Sequence, residues 1–459
     1  MRGVPYKHVL VVGAGDFGQT FVRHLGVAYA GRGAHVTLWD RNPERIAALA
    51  AYQQDPASVS ENTKRRYIRA DITDARFNEF ITYQSGTDGL EGLVEQPDLI
   101  LLAVSSQGLD VASRLAPYTA TGTPPPIVVL TKGLSYSDGS ILTPTEKVRH
   151  YVSPETPVLY LAGGTIGKEL RAGSLTTATL TIAENLPRQQ REGYASAVAG
   201  YLNVGNLRVD PRTEDDSRIA EVAGPAKNYL AIAFGMARFL DQAKSNLQTY
   251  ANLLGGFMPR AQWEMLALYS MVREYVDEGT VRHAIGPRIR LVPHHIRLEN
   301  FNTPEFWGDL HTTLTSPDSR NQRAGYLAAR IHAEAMQAGR PSPSRTDLKR
   351  LVQEDIIDTI EGWNATYAYY DIAQRVLGDR KRDYSIAPSA RSGDDIFEED
   401  WRIAWNLPIL WHTRLVLDGH ETPAVAMREI FSMPAKPRNF RDYFKEWVRR
   451  RDEHSAGED

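Results

Sequence analysis

The 459-residue sequence contains no cysteine at all. This absence excludes disulfides, thiolate metal sites and cysteine nucleophiles, and it leaves the redox compartment open. An excess of one charge is also lacking, because 53 lysines and arginines stand against 56 acids for a formal net charge of -3. We therefore expect no nucleic acid partner, and any phosphate-binding site must be a local feature.

Long apolar runs are missing as well. No stretch approaches the roughly 18 apolar residues of a membrane span, and the first apolar run is too short for a secretory signal. These absences predict a cytoplasmic protein without an integral membrane segment. The 42% hydrophobic and 24% charged residues are ordinary for a globular protein, and the length is sufficient for two or three domains.

Short β-branched runs alternate with helical patterns over the first 130 residues, and one more such run follows. Turn residues bound each run, which is typical of a parallel sheet with crossover helices. The third and fourth runs are continuously apolar, as expected of strands covered by helices on both faces. The predicted strands are His8–Val12, His35–Trp39, Leu99–Val104, Ile127–Leu130 and Val158–Leu161.

Helical spacing replaces the strand pattern from about Glu214 onward. The predicted helical segments are Tyr229–Leu240, Ala261–Tyr275, Tyr326–Met336 and Asp347–Tyr370. The predicted fold class is therefore α/β plus all-α, with a Rossmann dinucleotide-binding domain before a helical substrate domain. The predicted limits are 1–210 for the Rossmann domain, 211–378 for the helical substrate and catalytic domain, and 379–459 for a linker and C-terminal extension.

The first strand leads directly into a glycine-rich loop, Gly13 to Gly18, which opens a helix. Gly13 permits the tight turn, Gly15 admits a pyrophosphate close to the backbone, and Gly18 lets the helix pack near the strand. Asp16 and Phe17 complete the predicted cofactor loop. The helix N-terminus offers N–H groups and partial positive charge to the phosphates.

Asp40 lies 22 residues beyond Gly18, at the end of the second strand. A carboxylate at this position accepts hydrogen bonds from the adenosine ribose and repels a 2′-phosphate. The next residue, Arg41, could stack on adenine, bind a 2′-phosphate or simply be solvated. NAD is therefore the preferred cofactor, and NADP stays open.

Five further segments share a pattern with one known family: Ala103–Gln107, Leu130–Gly133, Glu221–Asn228, Gly308–Asn321 and Thr359–Gly362. Together with the glycine loop they resemble the NAD(P)-dependent glycerol-3-phosphate dehydrogenases. The most specific segment contains Gly-Asp-Leu followed by Ser-Arg-Asn, at the spacing of the bacterial members. The resemblance covers about residues 8 to 375.

Oxidation of a secondary alcohol needs a base, donors for the developing carbonyl and a nearby nicotinamide. Lys227 lies where a polar turn meets an apolar helix, so burial could disfavour its charge, and the resemblance implies an acid/base role for it. The family pattern implies catalytic Lys132 and Asp309 beside it. It also implies cofactor contacts from Lys132, Gly167, Arg320 and Glu361, and substrate contacts from Lys132, Gly163, Thr165, Lys227, Asn228, Asp309, Thr313, Ser319, Arg320 and Asn321.

Three departures from the family pattern affect these expectations. The usual Ser-Gly-Pro-Ser segment is here Ala162–Thr165, which puts the exact substrate in question. An insertion near 276–305 accounts for a long separation between Lys227 and Asp309. The tail beyond about residue 376 carries several tryptophans, which are expected to pack against a core or a second subunit.

Three functional interpretations follow. The first is reversible reduction of dihydroxyacetone phosphate to sn-glycerol 3-phosphate, supporting lipid synthesis or redox balance. The second keeps the fold and changes the substrate to another phosphorylated hydroxy or keto compound. The third is a non-catalytic dinucleotide sensor. His294, His295 and His311 have no carboxylate cluster at metal-binding spacing, so we expect no metal, and we expect a homo-oligomer, most simply a dimer.

Overall fold

A computed structural model provides the structure of the chain. It describes residues 5–93, 95–137, 140–163, 167–183, 185–212, 217–244, 251–277, 307–316, 319–356, 360–377, 403 and 407–432. Two compact units divide the chain: Met1–Gly224 with Arg297–Thr312, and Pro225–Ile296 with Thr313–Asp459. The predicted limits at residues 210 and 378 stay a prediction.

The first unit is built on an eight-stranded sheet with the order β10-β9-β8-β5-β4-β1-β2-β3, and β6 pairs with β7 separately. The strands are β1 His8–Val12, β2 His35–Asp40, β3 Ile81–Ser85, β4 Leu99–Leu102, β5 Ile127–Val129, β6 Ser135–Ser137, β7 Ser140–Leu142, β8 Val158–Gly163, β9 Thr176–Ile182 and β10 Leu207–Arg212. Within the eight-stranded sheet, the neighbouring strands β3, β2, β1, β4, β5 and β8 are all parallel, whereas β9 runs antiparallel to β8. The Rossmann-type sheet predicted from the sequence is confirmed.

The central strands are apolar throughout because both faces of the sheet are covered. In β1, Val9 and Val11 belong to one buried cluster, whereas Leu10 and Val12 belong to another on the opposite face. Side chains alternate across a strand, so a continuous apolar run is what two covered faces require. The strands β3, β6, β7, β9 and β10 were not predicted, because each of them contains polar residues.

The α-helices of the described residues occur along the whole chain, and the two longest, Ser217–Lys244 and Ala251–Asp277, follow β10. They are α1 Asp16–Tyr29, α2 Pro43–Gln54, α3 Glu61–Tyr67, α4 Gly86–Glu91, α5 Ala116–Thr119, α6 Pro144–Arg149, α7 Gly167–Arg171, α8 Arg188–Leu202, α9 Ser217–Lys244, α10 Ala251–Asp277, α11 Asp309–Thr315, α12 Arg320–Gln337, α13 Arg345–Asp355, α14 Glu361–Leu377, α15 Pro408–Leu417 and α16 Pro423–Ser432. The helical character predicted from about Glu214 onward is confirmed.

One predicted helical segment was wrong in its extent. The stretch from Asp347 to Tyr370 forms two helices, α13 and α14, rather than one. Ile356 caps α13 with an extended backbone of φ -123° and ψ 97°. The apolar spacing continues across this break, which is why the pattern alone suggested a single helix.

Glycines allow the helices of the second unit to pack backbone to backbone. A Cβ added at Gly325 of α12 would overlap the carbonyl oxygen of Ile232 in α9, and one at Gly235 would overlap that of Gln322. A Cβ at Gly362 of α14 would overlap the carbonyl oxygen of Asn228. These contacts set the separation of α9, α12 and α14 around Asn228.

The C-terminal extension contributes a helix to the core of the second unit. Every residue of α15 from Ile409 to Leu417 is buried, including Trp411, which is 1% exposed. Trp411 packs against Tyr370 of α14 with ring centroids 6.0 Å apart. The tail tryptophans were expected to pack against a core or a second subunit, and Trp411 packs against a core. Trp401, Trp405, Trp447 and most of the predicted insertion and linker lie outside the described residues.

A buried carboxylate connects α15 to two other helices. Glu264 of α10 accepts hydrogen bonds from the backbone N–H groups of Ile409 and Leu410, at 2.8 and 2.6 Å, and from the Tyr229 hydroxyl of α9 at 2.9 Å. It thereby satisfies N–H groups in the first turn of α15, which have no partner within the helix. Burial raises the pKa of this carboxyl from 4.5 to about 8, although the three hydrogen bonds act in the opposite direction.

Replacing Glu264 by glutamine is expected to alter the dependence of stability on pH. Between the ordinary pKa near 4.5 and about 8, the folded chain keeps the Glu264 proton while the unfolded chain has lost it. Stability supplied by the protonated carboxyl is therefore fully present below pH 4.5 and is lost as pH rises to about 8. The thermal midpoint of Glu264→Gln should fall less steeply over this range, and exposed Glu354→Gln should follow the parent. Parallel curves for Glu264→Gln and the parent would contradict the assignment.

Candidate functional site

The predicted cofactor loop lies at the carboxyl edge of the parallel strands. Gly13 follows β1 with φ +103°, and its N–H donates to the carbonyl oxygen of Trp39 in β2 at 2.7 Å. A Cβ on Gly13 would lie 2.6 Å from the Ala103 carbonyl oxygen, and one on Gly18 would overlap the Gly13 carbonyl. The first and third glycines are thus required by this turn and by the close packing of α1.

Gly15 differs from the other two glycines because space is open beside it. A Cβ added at Gly15 would meet no atom within 4 Å. Gly15 is the N-cap of α1 and provides no side chain to cap its N–H groups. An accessible helix N-terminus of this kind suits a phosphate group.

Asp40 holds the glycine loop from the end of β2. Its Oδ2 atom accepts from the Ala14 N–H at 2.8 Å and from Arg45 Nη1 at 2.9 Å, and Oδ1 accepts from the Asn42 N–H at 2.9 Å. The Asp40 side chain is 7% exposed and that of Arg45 is 32% exposed. Arg45 had no part in the sequence prediction, and Arg41 is exposed.

Asp16, Phe17 and Gly167 lie together at the start of α1. Asp16 forms an ion pair with Arg171 of α7 at 2.7 Å, and a Cβ on Gly167 would lie 2.6 Å from Asp16 Oδ2. Phe17 packs against Phe21 with centroids 5.8 Å apart. The structure thus gives Asp16 a partner, Arg171, which the sequence prediction missed.

Lys132 occupies the centre of a second polar cluster in the first unit. Its Nζ donates to the Gly163 carbonyl oxygen at 3.1 Å, lies 3.8 Å from Asp309 Oδ2 and lies 5.5 Å from the centroid of the Phe17 ring. The Lys132 side chain is 12% exposed and that of Asp309 is 3% exposed. Four residues predicted to take part in the site are thus neighbours beyond the carboxyl ends of β5 and β8.

Lys227 and Asn228 lie on α9 among apolar neighbours in the sequence. Lys227 is 6% exposed and Asn228 is 3% exposed. Asn228 Nδ2 donates to Glu361 Oε2 at 3.1 Å, and Asn321 Nδ2 donates to Asn228 Oδ1 at 2.9 Å. Asn321 Oδ1 in turn accepts from the Gly362 N–H at 2.9 Å. A hydrogen-bonded network therefore fixes the backbone and side chain next to Lys227.

The remaining predicted substrate residues surround the start of α12. Ser319 is its N-cap, and the hydroxyl accepts from the Gln322 N–H at 3.3 Å. Arg320 is the first residue of the helix and is exposed, whereas Thr313 is 6% exposed and its carbonyl accepts from Gln322 Nε2 at 3.2 Å. Thr165, His294 and His295 lie outside the described residues.

A second buried acid received no role from the sequence although it lies within a recognised segment. Glu221 of α9 accepts from the N–H and the hydroxyl of Thr145, at 2.8 and 2.7 Å. Burial raises the pKa of its carboxyl to about 8. Neither this contact nor that between Glu264 and α15 could be found from spacing, because each joins residues more than 70 positions apart.

Within the described residues, one group has side chains close enough to hold a metal ion: His8, His35 and Glu95. The two imidazole rings are stacked with centroids 4.2 Å apart and an interplanar angle of 15°. Imidazole lone pairs lie in the ring plane, so one ion does not lie in both planes at a bonding distance of about 2.1 Å. The group is located at the amino ends of β1 and β2, away from the glycine loop.

The Rossmann sheet and the glycine loop define a dinucleotide-binding protein. Family models support a narrower assignment. The model described as NAD-dependent glycerol-3-phosphate dehydrogenase N-terminus matches residues 8–186, and the corresponding C-terminus model matches residues 216–387. The chain therefore belongs to the NAD-dependent glycerol-3-phosphate dehydrogenase family, and the resemblance seen in the sequence is confirmed.

Similar proteins agree with this assignment. A glycerol-3-phosphate dehydrogenase [NAD(P)+] of Thioalkalivibrio sulfidiphilus is 28% identical over 323 residues, covering 70% of this chain and 78% of the relative. One from Xanthomonas campestris is 23% identical over 434 residues, covering 94% of this chain and 97% of the relative. A match of that coverage reaches into the C-terminal extension.

Solved structures show the same fold. Glycerol-3-phosphate dehydrogenase from Coxiella burnetii has a TM-score of 0.62 at 21% identity, covering 93% of this chain and 99% of the other. The enzyme from Plasmodium falciparum has a TM-score of 0.63 at 13% identity, covering 95% and 97%. Among the described residues, no helix has the length and apolar character needed to span a membrane.

Proposed function

We propose that the chain transfers a hydride reversibly between NAD and the substrate pair sn-glycerol 3-phosphate and dihydroxyacetone phosphate, with Lys227 as the acid/base. The observation that carries this proposal is the burial of Lys227 beside the Asn228, Asn321 and Glu361 network. A lysine that is 6% exposed, on a helix whose next residue is fixed by hydrogen bonds, suits proton transfer to a substrate oxygen. The family assignment supports the same reaction.

The residues present fit a dinucleotide. The open space beside Gly15 and the N-terminus of α1 would hold the pyrophosphate, and Asp40 would face the adenosine ribose. When bound, the nicotinamide accepts a hydride from the alcohol carbon or donates one to the carbonyl carbon. Asp16, Phe17, Gly167, Arg320 and Glu361 remain proposed cofactor contacts.

The chain's own side chains would manage the proton and the charge. Lys227 Nζ would take the hydroxyl proton during oxidation and return it during reduction. Lys132, oriented by Gly163 and Asp309, would place a cation where negative charge develops on the substrate oxygen. We further propose Thr165, Thr313 and Ser319 as hydroxyl contacts.

Arg320 would bind the substrate phosphate, because its planar guanidinium offers two parallel donors to such an anion. Arg320→Gln is expected to raise the KM for dihydroxyacetone phosphate by about 100-fold, while the KM for dihydroxyacetone changes little. Exposed Arg323, one turn further along α12, provides the matched control Arg323→Gln. Equal KM increases in the two variants would argue against phosphate binding by Arg320.

The direct test is a nicotinamide absorbance assay with the purified chain. Dihydroxyacetone phosphate and NADH should give rapid oxidation of NADH, and sn-glycerol 3-phosphate with NAD should give the reverse reaction. Unphosphorylated dihydroxyacetone and other phosphorylated ketones test the substrate class. Turnover with a different phosphorylated ketone alone would reassign the substrate, whereas NADH binding without any turnover would support a dinucleotide sensor.

We also propose that the chain acts on a small phosphorylated substrate as a cytoplasmic homodimer, without nucleic acid and without a metal. The near-neutral formal charge of -3 supports the expected lack of a nucleic acid partner. Analytical ultracentrifugation of the full chain, with and without NADH, would measure its oligomeric state. A monomer at micromolar concentration would contradict the proposed assembly.

A further inference from the structure

The carboxylate expected to exclude NADP is already paired with a cation. Asp40 Oδ2 is shared by the Ala14 N–H of the glycine loop and by Arg45 Nη1, at 2.8 and 2.9 Å. Oδ1 accepts from the Asn42 N–H. Because an ionised carboxylate has about four acceptor positions, about one is left for a ribose hydroxyl.

Further positive charge surrounds this ion pair. Arg41 follows Asp40 directly and is exposed, and Arg66 lies over the Tyr67 ring with 5.0 Å to the centroid. Arg45 lies over the same ring at 5.9 Å. The nearby acid Glu44 accepts from the Tyr67 hydroxyl at 2.7 Å. Arg45 and Arg66 thus both lie over the Tyr67 ring, and Arg45 also pairs with the carboxylate that holds the glycine loop.

We propose that Arg45 determines the cofactor specificity of this chain by compensating Asp40 and admitting the 2′-phosphate of NADP. The Arg45 side chain is 32% exposed, so it can contact a ligand while remaining joined to Asp40. An arginine bound to a carboxylate offers its remaining N–H groups to a phosphate. On this proposal, binding of NADP depends on the Arg45 guanidinium, whereas binding of NAD does not.

Cofactor binding provides a test that does not depend on turnover. Dissociation constants of NADH and NADPH are measured by nicotinamide fluorescence for the parent, Arg45→Gln, Asp40→Asn and Arg66→Gln. In Arg45→Gln, NADPH should bind at least about tenfold more weakly while NADH changes by less than about threefold. Asp40→Asn should shift the ratio toward NADPH, because the repelling charge is lost.

Arg66→Gln removes the same charge beside the same ring and should leave the ratio within about threefold, since exposed charges are screened. Arg45→Lys keeps the cation but not the planar fork, so it should give a ratio of NADPH to NADH affinity between those of the parent and Arg45→Gln. This variant also provides the test if Arg45→Gln does not fold. Equal weakening of both cofactors, or no change in either, would overturn the role of Arg45. The inference rests on the proposed function, yet absence of turnover with a shifted binding ratio would refute only the proposed reaction.

Discussion

Replacing Lys227 by methionine is expected to lower kcat by about 1,000-fold, which is typical of the loss of a general acid or base. Methionine fills a similar volume and suits a site that is 6% exposed, so the helix should keep its packing. The dissociation constant of NADH should change little, because the proposed cofactor loop, Gly13 to Gly18, does not include Lys227. Single-turnover and steady-state rates with dihydroxyacetone phosphate measure the effect.

A second buried lysine supplies the control for this substitution. The Lys147 side chain is 5% exposed and pairs with Asp110 at 2.6 Å, and neither residue has a part in the proposed chemistry. Lys147→Met should therefore retain turnover at temperatures where it is folded. Added alkylamines should restore part of the activity of Lys227→Ala if the lost function is proton transfer. A Lys227→Met enzyme that retains most of its kcat would assign the acid/base to another residue.

Replacing Gly325 by alanine is expected to destabilise the second unit by about 3 kcal/mol or more, in the range of overpacked sites. The added Cβ would overlap the carbonyl oxygen of Ile232, which is helix backbone and cannot move independently. Helices α9 and α12 would have to separate. Because α9 carries Lys227 and α12 begins at Arg320, this separation would also displace residues of the proposed site. We expect the thermal midpoint to fall by roughly 10 °C, with a parallel loss of kcat.

Gly255 on α10 allows the same substitution where no atom lies within 4 Å of the new Cβ. Gly255→Ala should be neutral or stabilising by about 0.5–1 kcal/mol, because alanine is the better helix former. The contrast between the two variants separates steric overlap from the general effect of removing glycine. Similar melting curves for both would show that the α9 and α12 backbones can relax without cost.

Local pattern in the sequence was sufficient for the Rossmann half. The runs at His8 and Leu99 are apolar throughout because strands covered on both faces must be, and Gly13 to Gly18 follow the first of them directly. β3 and β9 were missed because their residues alternate with polar ones or lie at less covered positions. The break between α13 and α14 was missed because apolar spacing continued across it.

The sequence by itself determined the fold class, the family and the candidate residues, since each depends on short segments whose spacing has a physical cause. Only the tertiary structure decided which partners those residues have. Arg45 on Asp40, Arg171 on Asp16 and Glu264 on the first turn of α15 are contacts between separate elements. Arg171 and Glu264 contact residues more than 140 positions away, and a single sequence contains no periodic signal for such a contact. Arg45 is close to Asp40 in the chain, and their contact depends on how the chain turns from β2 into α2.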